Sequence, residues 1–137
     1  MSSVLLVDDN KEIAYLVKRM LERRGHEVYL ALSGEEALRQ LNNGIKPDVI
    51  LLDIIMPEMS GEEVLSRIKG SEKLKDIPVY IFSVVTEKER VERWLAMGAS
   101  GFIPKPYDMK QIEQAIERSQ DRIHLALASH GKSKAEG

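Results

Sequence analysis

The chain has 137 residues, of which 43% are hydrophobic, and this is enough apolar material for one packed core. Its 20 Lys and Arg and 22 Asp and Glu give a formal net charge of -2, so no overall positive field favours direct binding of nucleic acid. The absence of cysteine excludes disulfides, thiolate metal sites and a cysteine nucleophile. The amino terminus has no basic segment and its apolar run ends at Asp8, so we expect no signal peptide, no membrane insertion and a cytoplasmic location.

Short apolar segments alternate with longer segments of helical periodicity along the chain. The predicted strands are Val4–Val7, Glu27–Leu30, Val49–Leu52, Val79–Phe82 and Gly101–Ile103. Three of these segments are continuously apolar, as expected for strands that helices cover on both faces. The alternation predicts an α/β fold with a doubly wound, parallel, five-stranded sheet of order 2-1-3-4-5.

Helix signals separate the predicted strands. The first helix has an apolar stripe and is followed by Gly25, which is typical of a helix C-terminus. Ser33, Ser60 and Thr86 each precede a glutamate by three positions, a capping-box pattern that predicts the starts of three further helices. The last helix is predicted to begin at Asp108. The apolar stripes are Ile13, Leu16, Val17, Met20 and Leu21 in the first helix and Ile112, Ala115, Ile116 and Ile123 in the last.

Candidate functional side chains lie at the carboxyl ends of the predicted strands. Asp8 and Asp9 follow the first strand, Asp53 the third, Ser83 the fourth and Lys105 the fifth. Because the carboxyl ends of parallel strands form one crevice, we expect these side chains to converge there. Three neighbouring carboxylates need compensating charge, which Mg²⁺ or Mn²⁺ together with Lys105 would supply. Asp53 is then a candidate nucleophile towards phosphorus, a reaction that depends mainly on positioning and charge neutralisation.

Each of these residues also has a plainer interpretation. An aspartate after a strand is more often a helix cap or turn residue than a ligand. Ser83 would fit as a turn residue and Lys105 as a solvated surface lysine. Only the joint placement of the whole set favours a functional site.

Three segments of the chain resemble the receiver domains of two-component response regulators. Val4–Asp9 is similar to the first strand and acidic pair of that family. Asp53–Pro57, with Gly61, resembles its phosphorylation strand and the following loop, and Gly98–Pro106 resembles its last strand. Because all three segments occur in order at receiver-like spacing, the pattern is specific. The resemblance implies a flavodoxin-like (βα)5 sandwich of three layers.

The resemblance also implies a metal site and a phosphoacceptor. Asp53 would accept the phosphoryl group. Asp9, Asp53 and the backbone carbonyl of Ile55 would bind Mg²⁺ directly, whereas Asp8 would act mainly through coordinated water. The donor would be a sensor histidine kinase, a phosphotransfer protein or a small acyl phosphate.

A second set of implied roles concerns the response to phosphorylation. Ser83 and Lys105 would contact the phosphoryl oxygens, and Phe102 would change rotamer when Ser83 moves inward, although Phe102 also fits as core filler. The Lys105–Pro106 peptide bond would be cis. A downstream protein would bind the fourth helix, fifth strand and fifth helix. We interpret Trp94, at the margin of the Val91–Leu95 core stripe, as a packing residue, with partner contact as the alternative.

Two features depart from the family pattern. Most receiver domains have a small residue after the Ser/Thr position, but this chain has Val84, and we hypothesise slower phosphotransfer or slower hydrolysis as a result. The last helix is also predicted to be long, so that the receiver domain spans 1–128 and a polar, disordered tail spans 129–137. The added apolar residues would support a homodimer or a partner contact, or would lie on the domain itself; they are Ile123, Leu125 and Leu127.

The sequence therefore predicts a stand-alone signalling switch that acts through protein–protein interaction and is not a turnover enzyme. An alternative is a phosphatase or phosphotransferase that forms an aspartyl phosphate. The best-known enzymes of that kind place an Asp-x-Asp pattern after the first strand, whereas this chain has adjacent Asp8 and Asp9 followed by Asn10. A binding module that is not phosphorylated is a third alternative, against which the complete set of site residues argues.

Overall fold

The strands and helices follow the predicted alternation. The computed structural model describes residues 2–105 and 109–119. Its elements are β1 (Ser3–Val7), α1 (Lys11–Arg23), β2 (Glu27–Ala31), α2 (Gly34–Asn42), β3 (Val49–Leu52), α3 (Gly61–Lys69), β4 (Val79–Ser83), α4 (Lys88–Ala96), β5 (Gly101–Pro104) and α5, the helical residues 109–119. All five strands are parallel, in the order β2-β1-β3-β4-β5, which confirms the predicted sheet.

Apolar residues fill both faces of the sheet, because successive strand side chains point to opposite sides. In β1, Leu5 and Val7 belong to one core cluster, whereas Val4 and Leu6 belong to the other. Helices α2, α3 and α4 cover the first cluster, and α1 and α5 cover the second; their buried residues include Leu41, Ile68 and Trp94 on one side and Val17, Leu21, Ile112 and Ile116 on the other. The predicted three-layer sandwich is therefore confirmed. In the described ranges, no helix combines the length and the apolar character that crossing a lipid bilayer requires.

Two of the predicted helix starts and the predicted helix end at Gly25 are observed. The Ser33 Oγ accepts a hydrogen bond from the Glu36 N–H at 3.0 Å, and the Ser60 Oγ accepts one from the Glu63 N–H at 3.2 Å. Gly25 follows α1 with a φ of 92°, a conformation that glycine adopts at low cost. The phase of α1 differs slightly from the predicted stripe, since Leu16 is 49% exposed.

The predicted capping box at Thr86 is wrong. Helix α4 begins at Lys88, and its N-cap residue is Glu87, which makes no side-chain capping hydrogen bond. The chain first turns at the end of β4, where the Val85 N–H donates to the Ser83 Oγ at 3.0 Å. Because this turn delays the helix, the three-residue spacing after Thr86 falls partly in the loop and forms no cap.

Several predictions lie outside the described residues. They concern the Lys105–Pro106 peptide bond, the helix start at Asp108, the apolar residues Ile123, Leu125 and Leu127, and the tail 129–137. The domain limit at residue 128 accordingly stays a prediction. Within the described part of α5, Ile112, Ala115 and Ile116 are buried, as their spacing predicts.

Candidate functional site

The strand register places the candidate site residues side by side. Val7 pairs with Leu52 in the β1–β3 ladder, so Asp8 and Asp53 leave adjacent strands at the same level. The Asp53 N–H donates to the Val7 carbonyl at 2.9 Å, which continues this alignment one residue beyond the strands. Where β4 and β5 end, the backbone N–H of Lys105 donates to the carbonyl of Ser83 at 2.9 Å. The site is thus fixed by backbone hydrogen bonds of the sheet.

Three carboxylates converge at this edge and form what we call the acidic cluster, Asp8, Asp9 and Asp53. One oxygen from each lies within 4.8 Å of the others. The Lys105 Nζ is 2.7 Å from the Asp8 Oδ2 and 3.5 Å from the Asp53 Oδ2. Asp8 is fully buried and Asp53 nearly so, whereas Asp9 is exposed. Among the described residues, the Lys105 ammonium is therefore the one cation that pairs with this cluster of three carboxylates, two of which are withdrawn from solvent.

Asp8 and Asp53 differ in how well their carboxylates are hydrogen-bonded. Asp8 accepts from the Asn10 N–H at 3.0 Å and from Lys105 at 2.7 Å, one donor for each oxygen. Within the described part of the chain, Asp53 has only longer contacts, to the Ile55 N–H at 3.4 Å and to the Lys105 Nζ at 3.5 Å. Since well-aligned bonds of this type are shorter than about 3.2 Å, Asp53 is the less satisfied acid. Its lone pairs are correspondingly available to another partner.

The electrostatic environment of Asp53 follows from this geometry. The pKa of Asp53 is raised from 3.8 to about 6, mainly by burial and further by the Asp8 charge, while the nearby Lys105 ammonium acts to lower it. The Ile55 N–H and the hydrogen bond from Lys105 also favour the charged form. At neutral pH Asp53 is therefore ionised, but at a cost in free energy that an additional cation would reduce.

The donor set of the acidic cluster fits a hard divalent cation. All three side chains offer carboxylate oxygens, which Mg²⁺ and Mn²⁺ prefer over nitrogen or sulfur ligands. Among the residues that the structure describes, this is the one group of three or more acidic or histidine side chains with such spacing. The backbone carbonyl of Ile55 as a further ligand stays a prediction.

Ser83 and Phe102 adjoin the site without joining the acidic cluster. Ser83 was predicted to follow β4, but it is the last residue of that strand. Its buried hydroxyl accepts a hydrogen bond from the Val85 N–H. Phe102 is partly buried, and its ring centroid lies 5.6 Å from that of Trp94. The movements predicted for Ser83 and Phe102 stay predictions.

Trp94 is fully buried, which confirms its interpretation as a packing residue. The phase of α4 differs from the predicted stripe, because Trp94 points into the core whereas Leu95 is 46% exposed. Sequence reasoning missed the polar partners of Trp94: the Glu62 Oε2 accepts from the Trp94 Nε1 at 2.7 Å and from the Arg90 Nη2 at 3.1 Å. The only signal in the sequence was a single tryptophan in a helix of which five of the nine residues are charged.

Gly61 was recognised as part of the family pattern, and the structure gives the physical reason for it. Its N–H donates to the Ile54 carbonyl at 2.9 Å, which brings the start of α3 against the end of β3. A methyl group at this position would overlap the Asp53 carbonyl oxygen and lie 2.7 Å from the Ile54 Cα. Only glycine permits this close approach beside the acidic cluster.

Comparisons with known proteins agree with this arrangement. Residues 4–117 match the family described as the response regulator receiver domain. The transcriptional regulatory protein CpxR homolog of Haemophilus influenzae is 36% identical over 117 residues, which are 85% of this chain and 49% of that protein. Among solved structures, the Vibrio cholerae chemotaxis protein CheY4 is 31% identical with a TM-score of 0.80, covering 87% of this chain and 98% of its own. A receiver domain protein from Clostridium thermocellum is 28% identical with a TM-score of 0.84, covering 92% and 99%.

The curated relatives are longer than this chain, which spans about half the length of those it matches. Several are named as transcriptional regulators, and the matched part of each corresponds to the fold described above. The matched residues include all strands of the sheet apart from Ser3 and all members of the acidic cluster. The chain belongs to the receiver domain family of two-component response regulators.

Proposed function

We propose that this chain is a phosphorylation-activated signalling switch in which Asp53 accepts a phosphoryl group in a Mg²⁺-dependent reaction. The observation that carries the proposal is the environment of Asp53: a nearly buried carboxylate whose hydrogen bonds to described residues are long, beside Asp8, Asp9 and the Lys105 ammonium group. Receiver domains are signalling domains, and the acidic cluster is the type of pocket at which the family binds Mg²⁺.

The phosphoryl transfer needs little covalent assistance from the protein. A carboxylate oxygen of Asp53 attacks phosphorus, the bond from phosphorus to the donor nitrogen or oxygen breaks, and the leaving group keeps the electron pair. The Lys105 ammonium offsets negative charge on the phosphoryl oxygens. A divalent cation held by Asp9, Asp53 and the Ile55 carbonyl, with Asp8 acting mainly through coordinated water, would supply further neutralisation at those oxygens. No general base is required, because Asp53 is already ionised at neutral pH.

The product places new negative charge and strong acceptor oxygens at the carboxyl edge of the sheet. The Ser83 hydroxyl then exchanges its contact with Val85 for one with the phosphoryl group, and Phe102 reorients in the space that Ser83 vacates. The altered surface of α4, β5 and α5 binds a downstream protein. The donor is a sensor histidine kinase or a phosphotransfer protein, and residues 1–128 form the receiver domain.

Intact mass measurement after incubation with acetyl phosphate and Mg²⁺ tests this proposal. We expect the chain to gain one phosphoryl group, and to gain none when a chelator replaces Mg²⁺. Asp53→Asn should abolish the gain, whereas Asp76→Asn, at an exposed aspartate, should leave it unchanged. A gain that persists in Asp53→Asn would contradict the assignment. Release of many phosphate molecules per chain would instead favour a phosphatase.

A further inference from the structure

The carboxylate of Glu62 on α3 bonds to two side chains of α4. We call the residues Glu62, Arg90 and Trp94 the α3–α4 contact. The Glu62 Oε2 accepts from both the Trp94 indole N–H and the Arg90 guanidinium, and the guanidinium lies 5.8 Å from the centre of the Trp94 ring. Although burial acts to raise the pKa of Glu62, these hydrogen bonds and the charges of Arg90 and Arg93 outweigh it and lower the pKa. Glu62 is therefore an ionised acceptor with strong donors.

One end of this contact is close to the phosphoacceptor. Glu62 directly follows Gly61, whose backbone is in contact with the Asp53 carbonyl and bonds to Ile54 at 2.9 Å. A displacement of the strand end at Asp53 therefore moves the first turn of α3, which carries Glu62. The link runs through backbone atoms, which leaves little room for side chains to absorb the movement.

The other end of the contact meets the aromatic residue that is proposed to reorient. The rings of Trp94 and Phe102 are 5.6 Å apart with an interplanar angle of 49°. Trp94 is fully buried, so its ring gives way to Phe102 only by shifting within a packed core. The hydrogen bond from its Nε1 to Glu62 opposes such a shift.

The contacts of Ser83 and Lys105 are those that the proposed function expects before phosphorylation, and we call this the resting arrangement. The Ser83 hydroxyl accepts from Val85 at 3.0 Å, and the Lys105 ammonium is bonded to Asp8 at 2.7 Å. Both groups that are proposed to bind the phosphoryl oxygens are thus engaged in local contacts. In the same structure, the hydrogen bonds of the α3–α4 contact are also formed.

We infer that Glu62 is a positioning residue of the switch, which holds Trp94 and Arg90 so that α4 stays in its resting position against α3. The inference rests on the proposed function, because it assigns Glu62 a role in the response to phosphorylation of Asp53. An interaction that stabilises the resting arrangement weakens the binding of anything that favours the activated one, and this coupling is reciprocal. Weakening the α3–α4 contact should therefore favour a phosphoryl group at Asp53.

Calorimetric titration with fluoroberyllate and Mg²⁺, a stable analogue of the carboxyl phosphate, measures this coupling. We expect Glu62→Gln to bind the analogue roughly threefold to tenfold more tightly than the wild type. Trp94→Phe, which removes the donor and keeps an aromatic ring, should act in the same direction. Glu63→Gln is the matched control, because Glu63 is exposed and contacts only Arg67 through its carboxylate among the described ion pairs. Arg90→Gln serves as a further variant if Glu62→Gln fails to fold.

The emission of Trp94 gives a second readout, since it is the only tryptophan in the chain. Its emission should change when the wild type binds the analogue. A Glu62→Gln variant that is less stable yet binds with unchanged affinity would show a merely structural contact and overturn the inference, as would weaker binding. If the wild type neither binds the analogue nor gains a phosphoryl group, the proposed function fails first and the inference fails with it.

Discussion

The carboxylates of Asp53 and Glu62 lie in opposite electrostatic surroundings, although both are at least partly withdrawn from solvent. Asp53 shares one ammonium group with Asp8, and its pKa is raised to about 6. One oxygen of Glu62 accepts a hydrogen bond from the Arg90 guanidinium and another from the Trp94 indole, and the pKa of Glu62 is lowered. Burial acts to raise the pKa of both acids, and the balance with their donors decides the outcome. At Asp53 burial outweighs the Lys105 ammonium, whereas at Glu62 the hydrogen bonds and arginine charges outweigh burial.

This difference has consequences for what each acid can bind. An added cation stabilises an unsatisfied cluster of carboxylates, and phosphorylation moves the negative charge from the carboxylate to the phosphoryl oxygens, where the cation and the ammonium group offset it. A satisfied carboxylate such as Glu62 would lose its donors by binding anything else. The acidic cluster is therefore suited to binding a cation and accepting a phosphoryl group, whereas the bonded Glu62 is suited to holding two helices together.

Removal of the ammonium group from the acidic cluster should have the largest effect. In the presence of a chelator, we expect Lys105→Met to lower the free energy of unfolding by about 3 kcal/mol, because Asp8 and Asp53 would be left buried without a cation. Urea unfolding measures the change, and Mg²⁺ should recover part of it. Lys18→Met, at a partly exposed helix pair with Glu22, should cost less than about 0.5 kcal/mol. Equal losses in the two variants would show that the cluster is no more strained than a surface pair.

Substitution of Gly61, which lies close to the Asp53 carbonyl, should have the next largest effect on stability. We expect Gly61→Ala to lower the free energy of unfolding by about 2 kcal/mol, because its methyl group would push the start of α3 away from the Asp53 carbonyl. The matched control is Gly70→Ala, where the nearest atom to the added methyl is the Ser66 carbonyl oxygen at 3.2 Å and the backbone is already helical. Similar stabilities for the two variants would contradict a tight contact at Gly61.

The raised pKa of Asp53 predicts a smaller, pH-dependent effect. Because the folded chain keeps this proton up to about pH 6 and the unfolded chain releases it near 3.8, the contribution to stability is present at low pH and is lost as pH rises between these values. Without divalent cations, wild type should therefore lose about 1 kcal/mol relative to Asp53→Asn across this range, allowing for screening by solvent. Paired unfolding curves at several pH values measure this. A pH-independent difference would contradict the raised pKa.

The sequence predicted the acidic cluster better than it predicted the α3–α4 contact, for a physical reason. Asp8 and Asp53 follow apolar strands, and parallel strands bring their carboxyl ends to one edge whatever the details of packing. Glu62 and Trp94 are 32 residues apart on two helices, and whether they meet depends on how those helices rotate and tilt. Sequence periodicity does not determine this to within a hydrogen-bond length.

The errors at Thr86 and Leu95 have a related origin. The capping-box spacing at Thr86 is a local signal, and the turn that Ser83 forms with Val85 shifts the helix start beyond it. The core stripe of α4 was predicted as Val91–Leu95, with Trp94 at its margin, but Trp94 is buried and Leu95 is half-exposed; the indole N–H of Trp94 finds a partner there in Glu62. Local patterns thus located the elements, whereas tertiary contacts determined their starts and phases.

Access to the two acids also differs, and Val84 should affect only Asp53. Val84 is 61% exposed in the loop that follows Ser83, and its side chain is branched at Cβ. We expect Val84→Ala to raise the rate of phosphoryl gain from acetyl phosphate, or the rate of its loss, by roughly threefold, which corresponds to less than about 1 kcal/mol in either barrier. Time-resolved intact mass measurement gives both rates.

The neighbouring Val85 provides the control for this smallest effect. It is partly buried and packs against the core cluster on the side of α2, α3 and α4, so Val85→Ala should lower stability more than Val84→Ala does. If both rates are unchanged in Val84→Ala, the β-branched side chain does not restrict the path to Asp53. In that case the charges around Asp53 limit the rate, and we expect substitutions of Lys105 to change it more than substitutions of Val84 do.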